Sequence, residues 1–168
     1  MEISGLIEEL ESILSLNIKL YNQMETALEE EFSALKTHSI GQLDGAIKRK
    51  LSLAANLRAV EDARLKVIEK ISKALGVPVK HIRIRDLAER TGGEAKARLM
   101  AIREDLNTAT ARVTEKNDLN RGFIEKLVTL NASAASNLKE LIAPESTYER
   151  TGPAAISFKP GQVVSRTF

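Results

Sequence analysis

The feature that most constrains this chain is a long apolar stripe between Glu94 and Ile142. Its apolar and small members recur in alternating steps of three and four residues, the spacing of one face of an α-helix. They are Leu99, Ile102, Leu106, Ala109, Val113, Ile124, Leu127, Ala134, Leu138 and Leu141. At about 1.5 Å per residue, an unbroken helix of this length is roughly 70 Å long. Since one such helix is not stable alone, the stripe must be covered by other helices or by another protein.

Two shorter amphipathic helices are predicted before this stripe. The first runs from Ile3 to about Lys36. The second begins after Ser39, which together with Gln42 fits a capping box. Because the two helices are nearly equal in length and are joined by only a few residues, we expect them to form an antiparallel hairpin.

Glycine and proline mark where the second helix ends and the long one begins. Gly76 tolerates the left-handed cap conformation and Pro78 cannot continue a helix. A connector from Val77 to Thr91 follows, with one short helix around Arg85 to Arg90. The pair Gly92 and Gly93 then interrupts the helical pattern before the long helix begins.

These elements predict an all-α fold, with an antiparallel helical hairpin and one long third helix in a coiled-coil-like, up-down-up bundle. The third helix should extend beyond the hairpin by about 18 Å at its C-terminal end. Asn and Ser between Asn131 and Asn137 lower helix propensity, so a break and fold-back there is an alternative. Pro144 ends the helix in either case. We therefore divide the chain into a helical domain, 1–143, and a flexible, irregular tail, 144–168.

Composition restricts the class of protein. Hydrophobic residues make up 43% of the chain but aromatic residues only 4% and there is no Trp, so the core must be built from Leu, Ile, Val and Ala. The absence of Cys excludes disulfides and thiolate metal sites and fits a reducing cytoplasm. No apolar run approaches the roughly 20 residues of a membrane span, and no signal peptide is evident. We expect a cytoplasmic protein.

Charge is distributed unevenly although the net charge is only +2. Up to Leu35 the first segment carries eight Glu against the single Lys19, whereas the second predicted helix is rich in Lys and Arg. Opposite charge on neighbouring helices favours their pairing. The run Glu29 to Glu31 is expected to lie on a solvent-exposed face.

The sequence contains no pattern typical of an enzyme, a metal site or a cofactor site. His38 and His81 lie in separate connectors, and neither has a Glu three residues before it. P-loop, nucleophile-elbow and dinucleotide fingerprints do not occur. Two basic clusters, Lys48 to Lys50 and the connector from Lys80 to Arg90, lack stacking aromatic residues, which disfavours nucleic-acid binding.

The apolar stripe is interrupted by Lys116, Asn117 and Asn120, and the two asparagines allow two interpretations. In the first interpretation, they form a polar layer that fixes the register of the bundle, as a buried Asn does in coiled coils. In the second, they face solvent or a ligand. The first interpretation is favoured.

Taken together, the pattern resembles the FlgN family of bacterial flagellar chaperones. The resemblance rests on the Leu-rich and Glu-rich hairpin with the run from Glu25 to Leu35, on the Asn117-x-x-Asn120 pair followed by Ile124, and on Tyr148 with Gly152 four residues later. It implies a cytoplasmic type III export chaperone that binds the hook-associated proteins FlgK and FlgL and delivers them to the export gate component FlhA.

The resemblance also implies which residues touch these partners. Tyr148 in the tail is the predicted contact with the export gate. The predicted substrate-protein site is the end of the long helix, about 124–143, with Ile124, Leu127, Leu130, Leu138, Leu141 and Ile142. The residues themselves favour the same place, because an apolar helix end without a covering partner suits helix-in-groove recognition. The alternative is a helical scaffold that self-associates through this stripe.

Overall fold

The structure is a computed structural model that describes residues 3–142, and its regular elements over that range are helices. The helices are α1 (Ile3–Thr37), α2 (Ile40–Leu75), α3 (Ile84–Thr91) and α4 (Gly93–Ile142), with a 3-10 turn at Val79–His81 between α2 and α3. The predicted all-α fold, with its short connecting helix and long last helix, is confirmed. The predicted tail, 144–168, lies outside the described residues.

Helix ends follow the predicted breakers. Gly76 has a φ of 65°, and its N–H donates to the Ser72 carbonyl, which closes the C-terminus of α2. Ser39 occupies the N-cap of α2, but its side chain makes no capping hydrogen bond. The predicted start of α2 is therefore right and the predicted capping-box bond is wrong. The α1–α2 turn is held instead by the Ser39 N–H, which donates to the Ala34 carbonyl at 3.0 Å.

The first core cluster joins all four helices at the end of the bundle that contains the α2–α3 connector. Leu10 and Leu14 of α1, Ile71 of α2, Leu87 of α3 and Leu99 of α4 are almost completely buried in it. Burial of a Leu or Ile side chain contributes about 1.5–3 kcal/mol. This cluster therefore fixes α3 and the start of α4 against the hairpin.

The second core cluster lies further along the hairpin. It contains Leu20, Met24 and Leu28 of α1 and Leu53 and Val60 of α2. Asn17 precedes it on α1 and is 6% exposed. Its Oδ1 has no hydrogen-bond partner among the described residues.

Ion pairs define the direction of α2 relative to α1. Lys70 lies 3.3 Å from Glu9, near the start of α1, and Arg49 lies 2.8 Å from Glu30, near its end. The hairpin is therefore antiparallel, and the predicted pairing of an acidic first helix with a basic second helix is confirmed. Exposed pairs of this kind each contribute about 0–1 kcal/mol, so they select orientation more than they stabilise.

Further ion pairs define the direction of α4. Arg98 lies 3.1 Å from Glu11, and Arg112 lies 2.9 Å from Glu25. The later arginine of α4 pairs with the later glutamate of α1, so α4 runs parallel to α1. This completes the up-down-up order. The acidic helix thus pairs with cations on α4 as well as on α2.

The long helix is unbroken. α4 contains 50 residues, against 35 in α1 and 36 in α2. It remains helical through Asn131 and Asn137, so of the two alternatives the continuous helix is confirmed. The chain divides into two compact units between Thr129 and Leu130. Over residues 3–142, no helix is long and apolar enough to cross a membrane.

Candidate functional site

Coverage of α4 changes along its length. Leu99 is fully buried in the first core cluster, and Ile102 and Leu106 pack against that cluster. Val113 packs against the second cluster. Among the described residues after Val113, none in α4 belongs to or packs against either cluster. Polar and aromatic contacts therefore hold the next turns of α4 to the hairpin.

The first of these contacts is ionic. Lys116 lies 3.0 Å from Glu25 and also donates a hydrogen bond to Glu29. The Glu29 carboxylate, followed by that of Glu25, raises the pKa of Lys116. The stripe position that looked like an interruption in sequence is therefore an ionic contact between α4 and α1.

One turn further on, Asn120 is buried in a polar network. Its Nδ2 donates to the Leu28 carbonyl and to Glu31 Oε2, both at 2.8 Å. Lys50 Nζ donates to the same Glu31 oxygen at 2.7 Å. Asn120 is 3% exposed and Glu31 is 4% exposed, whereas Asn117 is exposed. The two asparagines therefore do not share one environment, and their role in setting the register stays a prediction.

The expectation that Glu31 lies on a solvent-exposed face is wrong. Glu31 does not lie on a solvent-exposed face with Glu29, because it belongs to the buried side of α1. The signal was present in the sequence: Glu31 follows Leu28 by three residues and precedes Leu35 by four, so it occupies the apolar stripe of α1. Lys50 on α2 supplies the opposite charge that a buried carboxylate requires.

Removal of the Asn120 amide tests this network. We expect Asn120→Ala to lower the free energy of unfolding by about 1–3 kcal/mol, since Glu31 and the Leu28 carbonyl each lose a buried donor. Asn117→Ala is the matched control, because it makes the same change of helix propensity at an exposed site and should stay within about 0.5 kcal/mol. Urea unfolding followed by circular dichroism measures both. Equal stability of the two variants would contradict the assigned role of the network.

An aromatic contact follows the polar network. The rings of Phe32 and Phe123 meet edge to face, with centroids 5.5 Å apart and an interplanar angle of 68°. Lys36 Nζ lies 5.4 Å from the centroid of Phe32. Such aromatic pairs contribute about 0.5–1.5 kcal/mol beyond the area they bury. Phe32 and Phe123 were not among the predicted site residues.

Beyond this contact the apolar side chains of the first unit become exposed. Ile124 is 37% exposed, Val128 is 62% exposed, and Leu127 is half-buried. Ile124 and Leu127 belong to the predicted substrate-protein site. Val128 was not among the predicted residues, although it follows Ile124 by four residues, a step that the stripe allows.

In the second unit, each described residue from Leu130 to Ile142 is exposed. Exposed fractions are 66% for Leu130, 57% for Leu138, 83% for Leu141 and 70% for Ile142. Leu138 and Ile142, one turn apart, line a shallow depression with Ala135 and Lys139. The four predicted site residues of this unit are therefore accessible to a partner.

The remaining predicted contact, Tyr148, lies outside the described residues. Within residues 3–142, no group of three or more His, Asp or Glu side chains is placed to hold a metal ion. The exposed apolar side chains of the site favour association, because a second apolar surface that covers them removes them from water and lowers the free energy.

Charged contacts between α1 and α4 predict a loss of stability in acid. Burial works to raise the pKa of the Glu25 carboxyl, but Lys116 and Arg112 outweigh it, so the pKa lies below the ordinary 4.5. Within α2, the hydrogen bond that Arg64 donates likewise lowers the pKa of the Glu61 carboxyl. A carboxyl with a lowered pKa stabilises the fold above its unfolded value, and that contribution is lost as pH falls through the folded pKa.

We therefore expect the free energy of unfolding to change little from pH 7 to pH 5.5 and to fall below about pH 4.5. Glu25→Gln should be less stable than the original chain at pH 7 and should lose less on acidification. Glu115→Gln, at an exposed site without an ion pair to any described residue, is the control and should keep the original pH profile. Urea titrations from pH 3 to pH 7 measure these profiles. An unchanged acid slope in Glu25→Gln would contradict the assignment.

Comparison with known proteins supplies the family. The family model described as FlgN protein matches residues 1–155, which include all four helices. Comparisons with curated protein sequences and with solved structures gave no match. Since the match covers most of the chain, the chain belongs to the FlgN family, whose members are chaperones of flagellar export.

Proposed function

We propose that this chain binds the hook-associated proteins FlgK and FlgL in the cytoplasm and masks them before export. The observation that carries the proposal is the exposure of large apolar side chains over the last turns of α4. Each described residue from Val128 to Ile142 is exposed. Those with large apolar side chains are Val128, Leu130, Leu138, Leu141 and Ile142.

The proposed mechanism is recognition of a helix by a helix. Leu138 and Leu141 project apolar surface at a three-residue spacing, which suits an amphipathic helix of the partner. Burial of this surface contributes roughly 25 cal/mol per Å². A partner helix held in this way cannot polymerise through the same apolar face. Release then requires only competition by the export machinery, without a nucleotide or a metal.

Delivery to the export gate is part of the same proposal. FlhA is the proposed gate partner, and Tyr148 stays the residue predicted to contact it. The tail that carries Tyr148 would then act after the cargo is bound, because a chaperone in complex with cargo must be distinguished from an empty one.

Self-association through the same end of α4 is the second candidate, since the exposed side chains from Val128 to Ile142 would also be covered by a second copy. Sedimentation velocity of the full chain, alone and with purified hook-associated protein, separates the two. The chaperone proposal predicts a monomer from about 1 to 100 μM and a larger complex on mixing. A tight oligomer that does not react with the hook-associated protein would favour the scaffold.

A further inference from the structure

The α2–α3 connector and its flanking turns concentrate positive charge at one end of the bundle. Between Lys73 and Lys96 there are six Lys or Arg residues against three Asp or Glu residues, a net charge of +3. The whole chain has a net charge of only +2. We call this segment the basic end. The rest of the chain is therefore slightly acidic, and the excess positive charge is local.

Of these six cations, Arg85 is the one that makes an ion pair with a described residue. Arg85 lies 3.3 Å from Glu89, and this pair lies within α3. No ion pair to a described residue is made by the other five, which are exposed: Lys73, Lys80, Arg83, Arg90 and Lys96. In contrast, the cations that face α1, such as Arg49, Arg98 and Arg112, are paired with its glutamates.

The segment that carries these cations is packed against the core. Leu75 and Ile82 pack against the first core cluster, and Leu87 and Ala88 of α3 are buried in it. The backbone of this segment is therefore fixed to the end of the bundle, so it loses little freedom on binding.

The basic end also contains an exposed apolar side chain. Val79, in the 3-10 turn, is 41% exposed and follows the exposed Pro78. Lys80 comes directly after it. An exposed aliphatic side chain in a segment rich in Lys and Arg suits the boundary between lipid headgroups and acyl chains. No Phe, Tyr or Trp occurs between Lys73 and Lys96, so the stacking platforms that single-stranded nucleic acids use are absent from this segment.

We propose that the basic end is a peripheral membrane-binding surface for anionic phospholipid. Lys80, Arg83 and Arg90 contact the headgroup phosphates, Lys73 and Lys96 add positive charge, and Val79 enters the headgroup layer. The basic end and the proposed cargo site share no residue, and the inference does not depend on the proposed function.

Vesicle flotation with the full chain tests this proposal. The probes are phosphatidylcholine vesicles with and without about 30% phosphatidylglycerol, in 50 mM and 500 mM salt. We expect binding to the anionic vesicles alone, and loss of that binding at high salt. Lys80→Glu with Arg83→Glu and Arg90→Glu should weaken binding by at least about a hundred-fold, since each cation near an anionic surface contributes about a five-fold factor.

The matched control is Lys19→Glu with Arg58→Glu and Lys66→Glu. These three exposed cations lie outside the basic end, make no ion pair with a described residue, and give the same change of net charge. The control should retain most of the binding. If the basic-end variant does not fold, Lys80→Gln with Arg83→Gln should still weaken binding by more than about ten-fold.

Three results would overturn the proposal. The first is equal loss of binding in the basic-end variant and the control, which would indicate net charge alone. The second is no binding to anionic vesicles at 50 mM salt. The third is tighter binding to duplex DNA or to polyglutamate than to anionic vesicles in the same buffer, which would indicate a nucleic-acid or an acidic protein partner.

Discussion

Leu138→Asp combined with Leu141→Asp should abolish co-purification with a hook-associated protein while the bundle stays folded. Both side chains are exposed in the free chain, at 57% and 83%, so little packing is lost when they are replaced. In a complex they would be buried, and two buried carboxylates without partners are costly. We expect the affinity to fall by at least about a hundred-fold. Isothermal titration with purified FlgK measures the affinity, and circular dichroism measures the helix content.

Two further variants make this result specific. Leu138→Gln with Leu141→Gln keeps helix propensity and should also weaken binding, which separates lost contact from a frayed helix end. Ile40→Asp with Leu51→Asp places the same charges at exposed apolar sites of α2, which are 84% and 67% exposed. That control should bind normally. Equal weakening in the control, or wild-type affinity in Leu138→Asp with Leu141→Asp, would exclude the proposed site.

Leu99→Ala should cause the largest loss of stability among single changes in α4. Leu99 is fully buried and connects α4 to the first core cluster, which contains residues of all four helices. Truncation of such a Leu removes apolar burial and leaves a cavity, at a cost of about 2–5 kcal/mol. That is a large part of the stability of a domain of this size. Urea unfolding followed at 222 nm measures the change.

Leu119→Ala is the matched control, since Leu119 lies in the same helix but is 61% exposed. It should change the free energy of unfolding by less than about 0.5 kcal/mol. The dependence of unfolding on urea should keep its slope in both variants, because the area exposed on unfolding barely changes. A cost below about 1 kcal/mol for Leu99→Ala would mean that α4 is not fixed through this cluster.

Elements with strong periodicity and clear breakers were predicted well from the sequence. Gly76 ends α2 because only a residue without Cβ takes a φ of 65° at little cost, and Pro78 prevents continuation. The near-equal lengths of α1 and α2 and the short turn between them predicted an antiparallel hairpin, and their opposite charges favoured the pairing. These are local properties, so they can be read without knowledge of tertiary contacts.

Contacts between distant helices were predicted poorly. Glu31, Lys50 and Asn120 come from three helices, and only the fold brings them within hydrogen-bond distance. A charged residue on an apolar stripe was taken as exposed because burial of a carboxylate is unfavourable unless partners are present. Lys116 was likewise seen as an interruption of the stripe. Sequence periodicity gives the face of a residue but not the partner that compensates its charge.

The predicted substrate-protein site stays a prediction, and the structure gives the exposure of its residues. Ile124, Leu130, Leu138, Leu141 and Ile142 are exposed apolar side chains, as a partner-binding site requires. Leu127 is half-buried, and Val128 was overlooked although it is more exposed than Ile124. The stripe indicated the face of the helix, but the extent to which α1 and α2 cover it depends on where the core clusters end.

Hydrogen exchange with and without a purified hook-associated protein tests the central claim most directly. Backbone amides from Ile124 to Ile142 should exchange more slowly in the complex, whereas those of α3, within Ile84–Thr91, should not change. Slower exchange confined to α2, with the end of α4 unaffected, would contradict the proposal that the exposed end of α4 holds the cargo.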